Sequence, residues 1–179
     1  AIAKVATAET SVQAAVALPE ATIVDQEEVA DQLLMSRDTI LFGKFPADTG
    51  LIVKKAPLDF TTYPGAKDFI TRIKEGYEAS QPSFAGFYTT VTFGCGAGCI
   101  MGFMIDDRNG AIYDLPLGEE NMCVYSLDRS VYEYNSRLYI SAVCKESQDS
   151  KTIHYQVFLW DEQKKVFKEI KSKDIVKRN

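Results

Sequence analysis

Apolar residues recur at helical spacing in two segments of the first half of the chain. The first segment follows Asp25-Gln26-Glu27-Glu28, which has the spacing of a capping box. Its apolar stripe predicts a short helix over residues 26–35 and consists of Val29, Leu33 and Leu34. The second segment follows Thr61-Thr62-Tyr63-Pro64, where threonine can cap a helix and proline suits its first turn. The apolar positions of this second predicted helix are Ala66, Phe69, Ile70, Ile73 and Tyr77.

After Phe84 the pattern changes to β-branched and aromatic residues that turn signals interrupt at short intervals. Such a pattern predicts an antiparallel meander of strands. Two short strands are also predicted earlier, at residues 39–43 and 51–54, on either side of the turn-rich segment 46–50. The predicted fold class is therefore α+β, with N-terminal helices followed by a mainly antiparallel β-sheet meander.

Three hairpin turns are predicted within the meander. Residues 100–105 and 111–115 flank Asp107-Arg108-Asn109-Gly110, and Asn-Gly is a strong hairpin signal because both residues tolerate positive φ. Residues 134–137 predict the second turn, and residues 161–164 predict the third.

Length and composition point to one globular domain with a short leader. The chain has 179 residues, of which 46% are apolar and 25% charged. Residues 1–20 are rich in Ala, Thr, Val and Gln and carry little amphipathic order, so they predict a flexible leader, and residues 21–179 form the predicted single α+β domain. Because the first residue is Ala1 and not Met, we expect a signal peptide to have been removed, which leaves the leader as a possible tether.

Charge argues against a nucleic-acid partner, and hydropathy argues against a transmembrane segment. Twenty basic and twenty-five acidic side chains give a net charge of −5, which disfavours binding to the phosphate backbone of a nucleic acid. The best apolar run, residues 99–105, is far shorter than the ~20 residues of a membrane-spanning helix. We therefore expect neither a nucleic-acid partner nor a transmembrane segment.

The four cysteines of an exported chain predict two disulfides, and four cysteines allow three connectivities. We favour Cys95–Cys99 together with Cys123–Cys144. The short bridge needs a tight reversal, and the glycines of Gly94-Cys95-Gly96-Ala97-Gly98-Cys99 permit the unusual φ values of such a turn. For the second bridge, a hairpin that turns at residues 134–137 places Leu127 opposite Cys144, so we expect residues 127–130 to loop out and correct the register.

Three other uses of the cysteines are weaker. A zinc site needs close cysteine pairs on both sides, whereas Cys123 and Cys144 are far apart in sequence. A redox pair more typically has the spacing C-x-x-C at the start of a helix. A cysteine nucleophile needs a base, and the one histidine, His154, lies in a strand pattern where a structural or surface role is expected.

The acidic residues give no motif for a cofactor or metal. Asp106 and Asp107 precede Asn109-Gly110, but calcium-loop spacing would put Ile105 at the first ligand position, so we expect the two aspartates to form and solvate the turn. A carboxylate pair for glycoside hydrolysis could come from Asp114, Glu119 and Glu120. Phosphate-binding loops, dinucleotide fingerprints and the common hydrolase motifs are absent from the sequence, so no cofactor and no metal are expected.

Aromatic residues are dense between residues 84 and 160, and alternation places part of them on the outer face of the sheet. Exposed aromatic side chains are common anchors of protein interfaces. The residues with polar neighbours, which we expect to be partly exposed and to form a binding surface, are Tyr132, Tyr134, Tyr139 and Tyr155.

The stretch Pro82-Ser83-Phe84-Ala85-Gly86-Phe87-Tyr88, with the glycine and cysteine turn after it, resembles a group of small uncharacterised exported proteins of Gram-negative bacteria. Those proteins often carry a glycine-flanked cysteine pair after Phe-Ala-Gly-His-Tyr. The likeness covers roughly residues 60–170 and implies export to the periplasm, without an established activity. Phe87 stands where such proteins often have histidine, and Ser83 where they often have asparagine, which weakens an enzymatic interpretation.

Together these features predict a periplasmic or secreted binding protein that recognises another protein of the cell envelope, of the inhibitor or immunity type. The alternative hypothesis is a cell-envelope hydrolase that uses a cysteine or acidic residues. A structural envelope component held by its N-terminal tether is a third hypothesis.

Overall fold

The structure, a computed structural model, describes residues 26–178 and the side chains of residues 28–178. The leader expected at residues 1–20 and the capping residue Asp25 lie outside the described residues. Within that part of the chain there are two α-helices, α1 Gln26–Ser36 and α2 Ile70–Ala79, and the rest is mainly antiparallel sheet. The architecture is therefore α+β.

The strands of the described part form three antiparallel sheets. In chain order they are β1 Asp38–Ile40, β2 Tyr88–Gly96, β3 Cys99–Asp106, β4 Ile112–Asp114, β5 Tyr125–Tyr132, β6 Leu138–Lys145, β7 Ile153–Asp161, β8 Val166–Ile170 and β9 Val176–Arg178. The meander is divided into a three-stranded sheet, β2-β3-β4, and a four-stranded sheet, β5-β6-β7-β8. The short strands β1 and β9 pair with each other, so the segment that follows α1 lies beside the C-terminal end of the described chain.

The two early strand predictions are wrong in their extent. The first is limited to β1, because the backbone turns into a 3₁₀ segment, Phe42–Lys44, immediately afterwards. Residues 51–54 form no strand, and Leu51 and Val53 are 89% and 88% exposed. Their alternation is a local pattern that finds no neighbouring strand to pair with.

The two helices differ in how much of their apolar surface they bury. α1 contacts the four-stranded sheet through Leu34 and Met35, whereas Val29 and Leu33 of the predicted stripe are exposed. α2 follows a 3₁₀ segment, Pro64–Phe69, and packs on β2 through a close approach at Gly76, where a Cβ would lie 2.5 Å from Val91 Cγ1. The glycine that weakens the helix as a local element thus brings it onto the sheet.

The predicted threonine cap of the second helix is not formed. Tyr63 occupies the cap position of the 3₁₀ segment and makes no side-chain cap hydrogen bond. The hydroxyl of Thr62 instead donates to the carbonyl of Asp59 and accepts from the backbone N–H of Ile112. Thr62 therefore ties the loop before the helix to β4.

An aromatic core joins the two larger sheets. Tyr88 of β2 lies 5.5 Å from Trp160 of β7, and Phe84 lies 5.6 Å from Tyr139 of β6, both as edge-to-face ring pairs. All four side chains are at most 1% exposed. Aromatic pairs in this geometry add to the free energy of burial, so the two sheets form one packed unit.

All three predicted hairpin turns are present. The first joins β3 to β4, where Gly110 has φ 79° and donates its N–H to the carbonyl of Asp106 at 2.7 Å. Asn109 has a negative φ, so of the Asn-Gly pair only Gly110 adopts the positive φ that both residues tolerate. The second and third turns join β5 to β6 and β7 to β8.

Both predicted disulfides are present and all four cysteines are paired. Cys95 and Cys99, with Cα atoms 5.2 Å apart, close the hairpin between β2 and β3, where Gly96 and Gly98 have φ 145° and 71°. Cys123 and Cys144, with Cα atoms 6.0 Å apart, join the segment before β5 to β6. Because disulfides persist in oxidising surroundings, the protein belongs to an oxidising compartment.

The register of β5 differs from the prediction. Ser126, not Leu127, lies opposite Cys144, and the irregularity is a single-residue shift between Ser126 and Asp128, not a loop of four residues. Cys123 lies before the first strand residue, Tyr125, and reaches Cys144 from outside the ladder. The predicted four-residue loop is therefore not needed. A one-residue bulge and the position of Cys123 outside the strand bring the two cysteines together.

Neither helix within residues 26–178 is long and apolar enough to cross a membrane.

Candidate functional site

Four loops meet at one end of the two sheets, and we call this region the loop junction: residues 46–54, 84–87, 133–137 and 161–163. Backbone hydrogen bonds join them, from Ala47 to the carbonyl of Asn135 at 2.9 Å and from Gly86 to the carbonyl of Tyr134 at 2.7 Å. The junction surrounds a pocket of ≈ 460 Å³. Its lining residues are Pro46, Ala47, Asp48, Ala85, Phe87, Arg108, Arg137, Asp161, Glu162 and Gln163.

The wall of this pocket contains an unusual backbone turn at Ala85 and Gly86, whose φ values are 44° and 76°. A Cβ at Gly86 would lie within van der Waals overlap of the carbonyl oxygen of Asp48, so only glycine lets residues 46–50 cross the turn so closely. A non-glycine residue with positive φ, such as Ala85, is uncommon and clusters at binding sites. The close crossing fixes one side of the pocket.

A charged cluster forms the pocket's floor and extends into the protein. Arg108 donates from Nε and Nη2 to the two carboxylate oxygens of Asp106, at 2.7 and 2.5 Å, and from Nη2 to Glu162 Oε1 at 2.7 Å. Its guanidinium also lies 4.3 Å from the centre of the Phe87 ring. Asp106 is fully buried, which contradicts the expectation that it solvates the hairpin turn; bidentate pairing with Arg108 is what makes its burial possible.

Glu162 is the acceptor for four side chains. Its Oε2 accepts from the Tyr88 hydroxyl and from Trp160 Nε1, each at 2.7 Å, and its Oε1 accepts from Lys165 at 2.7 Å as well as from Arg108. Partial burial acts to raise the pKa of Glu162, but these hydrogen bonds outweigh it and hold the pKa at about 2. Glu162 is thus ionised at neutral pH and joins Arg108, Lys165, Tyr88 and Trp160 in one hydrogen-bond network.

Arg137 also lines the pocket and is held by backbone carbonyls. Its Nε donates to Pro46 at 3.0 Å and its Nη1 to Trp160 at 3.2 Å. Among the described residues no carboxylate oxygen lies within 4.0 Å of its guanidinium. It is therefore a fixed cation for which the described part of the chain, residues 28–178, supplies no acidic partner.

Exposed apolar side chains lie on the same loop that contributes Pro46, Ala47 and Asp48 to the pocket lining. Leu51 and Val53 project from the loop that follows Gly50, and a Cβ at Gly50 would touch the Phe87 ring at 3.0 Å. Tyr134, 41% exposed, lies on the same side, with its hydroxyl 3.5 Å from the carbonyl of Gly50. We call these three exposed side chains, Leu51, Val53 and Tyr134, the rim, because they stand on loops whose other residues line the polar pocket.

A second buried carboxylate, Asp107, lies behind the pocket. Asp107 Oδ2 accepts from the Thr89 hydroxyl at 3.0 Å and lies 3.8 Å from Lys55 Nζ, and Asp107 is fully buried, so it does not solvate the turn either. Within residues 28–178, Asp107 Oδ1 is the one buried side-chain polar atom without a hydrogen-bond partner. Burial is the largest influence on this carboxyl and raises its pKa, against the lowering effects of Thr89 and Lys55.

The candidate acidic residues for hydrolysis are only partly brought together. Asp114 and Glu120 line a second pocket, of ≈ 330 Å³, with Tyr63 and Trp160, whereas Glu119 does not line it. The Tyr63 hydroxyl donates to Asp114 at 3.4 Å. Although the carboxyl of Asp114 reaches solvent, the pocket walls remove part of its hydration, and this loss together with the charge of Glu120 raises its pKa to about 6.

The four tyrosines predicted as a binding surface lie in different surroundings. Tyr139 is fully buried and Tyr155 is 9% exposed, so the expected partial exposure is wrong for both. Their rings belong to the hydrophobic cores, and their hydroxyls bond Ser130 and Asp38 at 2.7 and 2.9 Å. Tyr132 is half-buried and stacks on Tyr139, which leaves Tyr134 as the exposed one.

The residues that a cysteine nucleophile needs are not assembled. Cys95 and Cys99 are bonded to each other, so neither carries a thiol. His154 is exposed and lies opposite Cys144, itself bonded to Cys123. Among the described residues no group of three or more His, Cys, Asp or Glu is placed to hold a metal ion.

The three hairpin turns that supply the charged residues of the pocket were predicted from the sequence, but the pocket was not. The first turn contributes Arg108, the second Arg137, and the third both Asp161 and Glu162. The signal was a charged side chain at the tip of successive hairpins. It could not be used without the arrangement of the two sheets, because Arg108 and Glu162 are 54 residues apart in sequence.

Comparison of the chain with protein-family models, with curated proteins and with solved structures finds no match. The class that the fold defines is an α+β protein braced by two disulfides.

Proposed function

We propose that this protein is an exported binding protein, periplasmic or secreted, that recognises another protein of the cell envelope through the loop junction, as an inhibitor or immunity factor does. The observation that carries the proposal is the exposed rim on loops whose other residues line a polar pocket. Leu51 and Val53 are nearly fully exposed there, beside Tyr134, on loops that two sheets hold in place. Tyrosine and arginine are enriched at protein interfaces, and exposed apolar side chains grouped on one surface mark interaction sites.

The framework supports this proposal because it holds the loops of the proposed binding surface in place before a partner binds. The loop junction is fixed by backbone hydrogen bonds between loops, and the aromatic core lies directly beneath it. A surface that is already ordered loses little conformational entropy when a partner binds. The two disulfides support export to an oxidising compartment.

The test is capture of a partner with matched surface variants. The wild-type protein, Leu51→Asp/Val53→Asp and Val124→Asp would each be immobilised and exposed to periplasmic extract and culture medium. Val124 is 87% exposed but precedes β5, whereas the loop junction lies beyond the other end of that strand. We expect one partner to bind the wild type and Val124→Asp and to be lost with the double variant, and the purified partner to show the same order in calorimetry.

Two results would contradict the proposal: no saturable partner in either fraction, or equal loss of binding in Val124→Asp and the double variant. The second result would mean that added charge, and not the rim, weakens the interaction.

A cell-envelope hydrolase is the second candidate, and the pocket at Asp114 is the observation that favours it. A carboxyl with a pKa of about 6 beside Glu120 can act as a general acid near neutral pH. Hydrolysis of cell-wall polysaccharide would be measured at pH 5–6, a range chosen around that pKa. This function predicts that Asp114→Asn and Glu120→Gln abolish turnover while Glu119→Gln does not; no turnover by the wild type would exclude it.

A further inference from the structure

We infer that the pocket at the loop junction binds a carboxylate group of the partner, with Arg137 as the residue that contacts it. The inference rests on the proposed function, since it names the chemistry by which the partner is recognised. It is argued from the charges around the pocket, the positioning of Arg137 and the shape of its unused donors.

Most charges that line the pocket already have partners. Asp161 accepts from Lys168 at 2.6 Å and from two backbone N–H groups, and Glu162 is held by Arg108 and Lys165. Arg108 in turn is neutralised by Asp106 and Glu162. Arg137 is the lining cation that is left without an acidic group among the described residues.

Arg137 is also fixed in place before any ligand arrives. Its backbone N–H donates to the carbonyl of Phe45 and its own carbonyl accepts from Trp160, both at 2.9 Å. Two of its five side-chain N–H groups are used by the carbonyls of Pro46 and Trp160. Three remain on Nη1 and Nη2, and two of these are enough to donate two parallel hydrogen bonds to one planar anion.

The neighbourhood favours a carboxylate over a phosphate. Asp48 also lines the pocket, and Asp161 and Glu162 lie on its floor, so a doubly charged phosphate would meet more repulsion than a singly charged carboxylate. The Phe87 ring and the apolar rim can contact the aliphatic part of an acidic side chain or of a chain terminus. Both sources present the same carboxylate chemistry.

Peptides of defined chemistry can separate the two sources. One probe carries a single glutamate and an amidated C-terminus, the second has a free C-terminal carboxylate and no acidic side chain, and the third is amidated without any acid. Inorganic phosphate is the fourth probe. Binding would be followed by the NMR signal of the Arg137 Nε–H group and by calorimetry.

We expect saturable binding of one or both acidic probes, with dissociation constants on the order of millimolar, as suits one charge-assisted pair. Binding should weaken at least tenfold in Arg137→Gln and by a smaller factor in Arg137→Lys, which keeps the charge but loses the fork. Arg72→Gln, at an exposed position on α2 outside the pocket, is the matched control and should bind as the wild type does. Arg137→Lys also serves if Arg137→Gln does not fold.

The inference is overturned by equal binding of the non-acidic peptide, by tighter binding of phosphate, or by wild-type affinity in both Arg137 variants. If these variants still capture the protein partner at full affinity, the carboxylate inference fails and the proposed function stands. If acidic peptides bind but no partner is found, the proposed function fails while the carboxylate site remains.

Discussion

At the scale of single residues, the main result is that Asp106 and Asp107 are buried in a hairpin turn, where solvation is the usual expectation. Adjacent in sequence, they face different partners: Asp106 is held by Arg108, and Asp107 by Thr89 and Lys55. Arg108 is a local partner, two residues from Asp106, but the partners of Asp107 could not be derived from local sequence, because Thr89 and Lys55 lie far from it in the chain. Their burial and that of the neighbouring Glu162 have consequences for stability that can be measured.

Glu162→Gln should lower the free energy of unfolding by about 1–2 kcal/mol at pH 7. The folded-state pKa of about 2 lies below the ordinary value of 4.5, so the ionised form stabilises the fold above about pH 4.5. The full pKa shift corresponds to about 3 kcal/mol of stabilisation. Because the side chain of Glu162 is 36% exposed, solvent screens part of this electrostatic contribution. The difference in the free energy of unfolding between the wild type and Glu162→Gln should shrink as the pH falls from about 4.5 towards 2.

Urea unfolding at several pH values measures this difference, and Glu169→Gln, an exposed residue on the neighbouring strand β8, is the control. A pH-independent difference would show that packing, and not ionisation, explains the loss.

Asp107→Asn should show the opposite pH dependence. Burial raises the folded-state pKa of Asp107 above 3.8, so the folded protein prefers the protonated carboxyl, and ionisation at higher pH costs stability. The asparagine variant has no such cost, so its stability relative to the wild type should improve as the pH rises from 3.8 through that raised pKa. Asp68→Asn, at an exposed position, is the control. A relative stability that falls over this range would contradict the assignment.

At the scale of elements, the sequence predicted the structure best at turns whose conformation is determined by their own residues. The hairpin at Asn109-Gly110 forms as predicted because glycine supplies the positive φ locally. The strand predicted at residues 51–54 fails because a strand needs a partner, and apolar alternation does not provide one. The division of the meander into two sheets depends on long-range packing of Phe84, Tyr88 and Trp160, which local patterns do not encode.

The two disulfides should differ in what they contribute to stability. Cys95 and Cys99 are separated by 4 positions and Cys123 and Cys144 by 21, so the second bridge constrains a longer loop of the unfolded chain. The chain-entropy model gives about 2 kcal/mol for the first and about 3 kcal/mol for the second. Replacing each pair by serine and measuring chemical unfolding tests this order. Equal or greater loss at Cys95–Cys99 would show that the hairpin contributes through its native contacts instead.

At the scale of the whole molecule, the aromatic core connects the two sheets beneath the loop junction, so we expect them to unfold together. Phe84 precedes β2 and contacts Tyr139 and Phe167 of the other sheet, and it is fully buried. Phe84→Ala should therefore destabilise both sheets, by about 3–5 kcal/mol, the usual cost of removing a buried phenylalanine. Tyr125→Ala, where the ring is 40% exposed at the far end of β5, should cost much less.

The protein contains one tryptophan, Trp160, and its ring lies within this core. Its fluorescence therefore reports on the contact between the two sheets, whereas far-ultraviolet circular dichroism reports on all strands. In a cooperative unit the two signals change at the same denaturant concentration, and Phe84→Ala shifts both midpoints equally. Separate transitions would mean that the sheets are independent units and that the loop junction can open without global unfolding. Because the pocket takes residues from both sheets, such opening would also remove the fixed position of Arg137 on which recognition of a carboxylate depends.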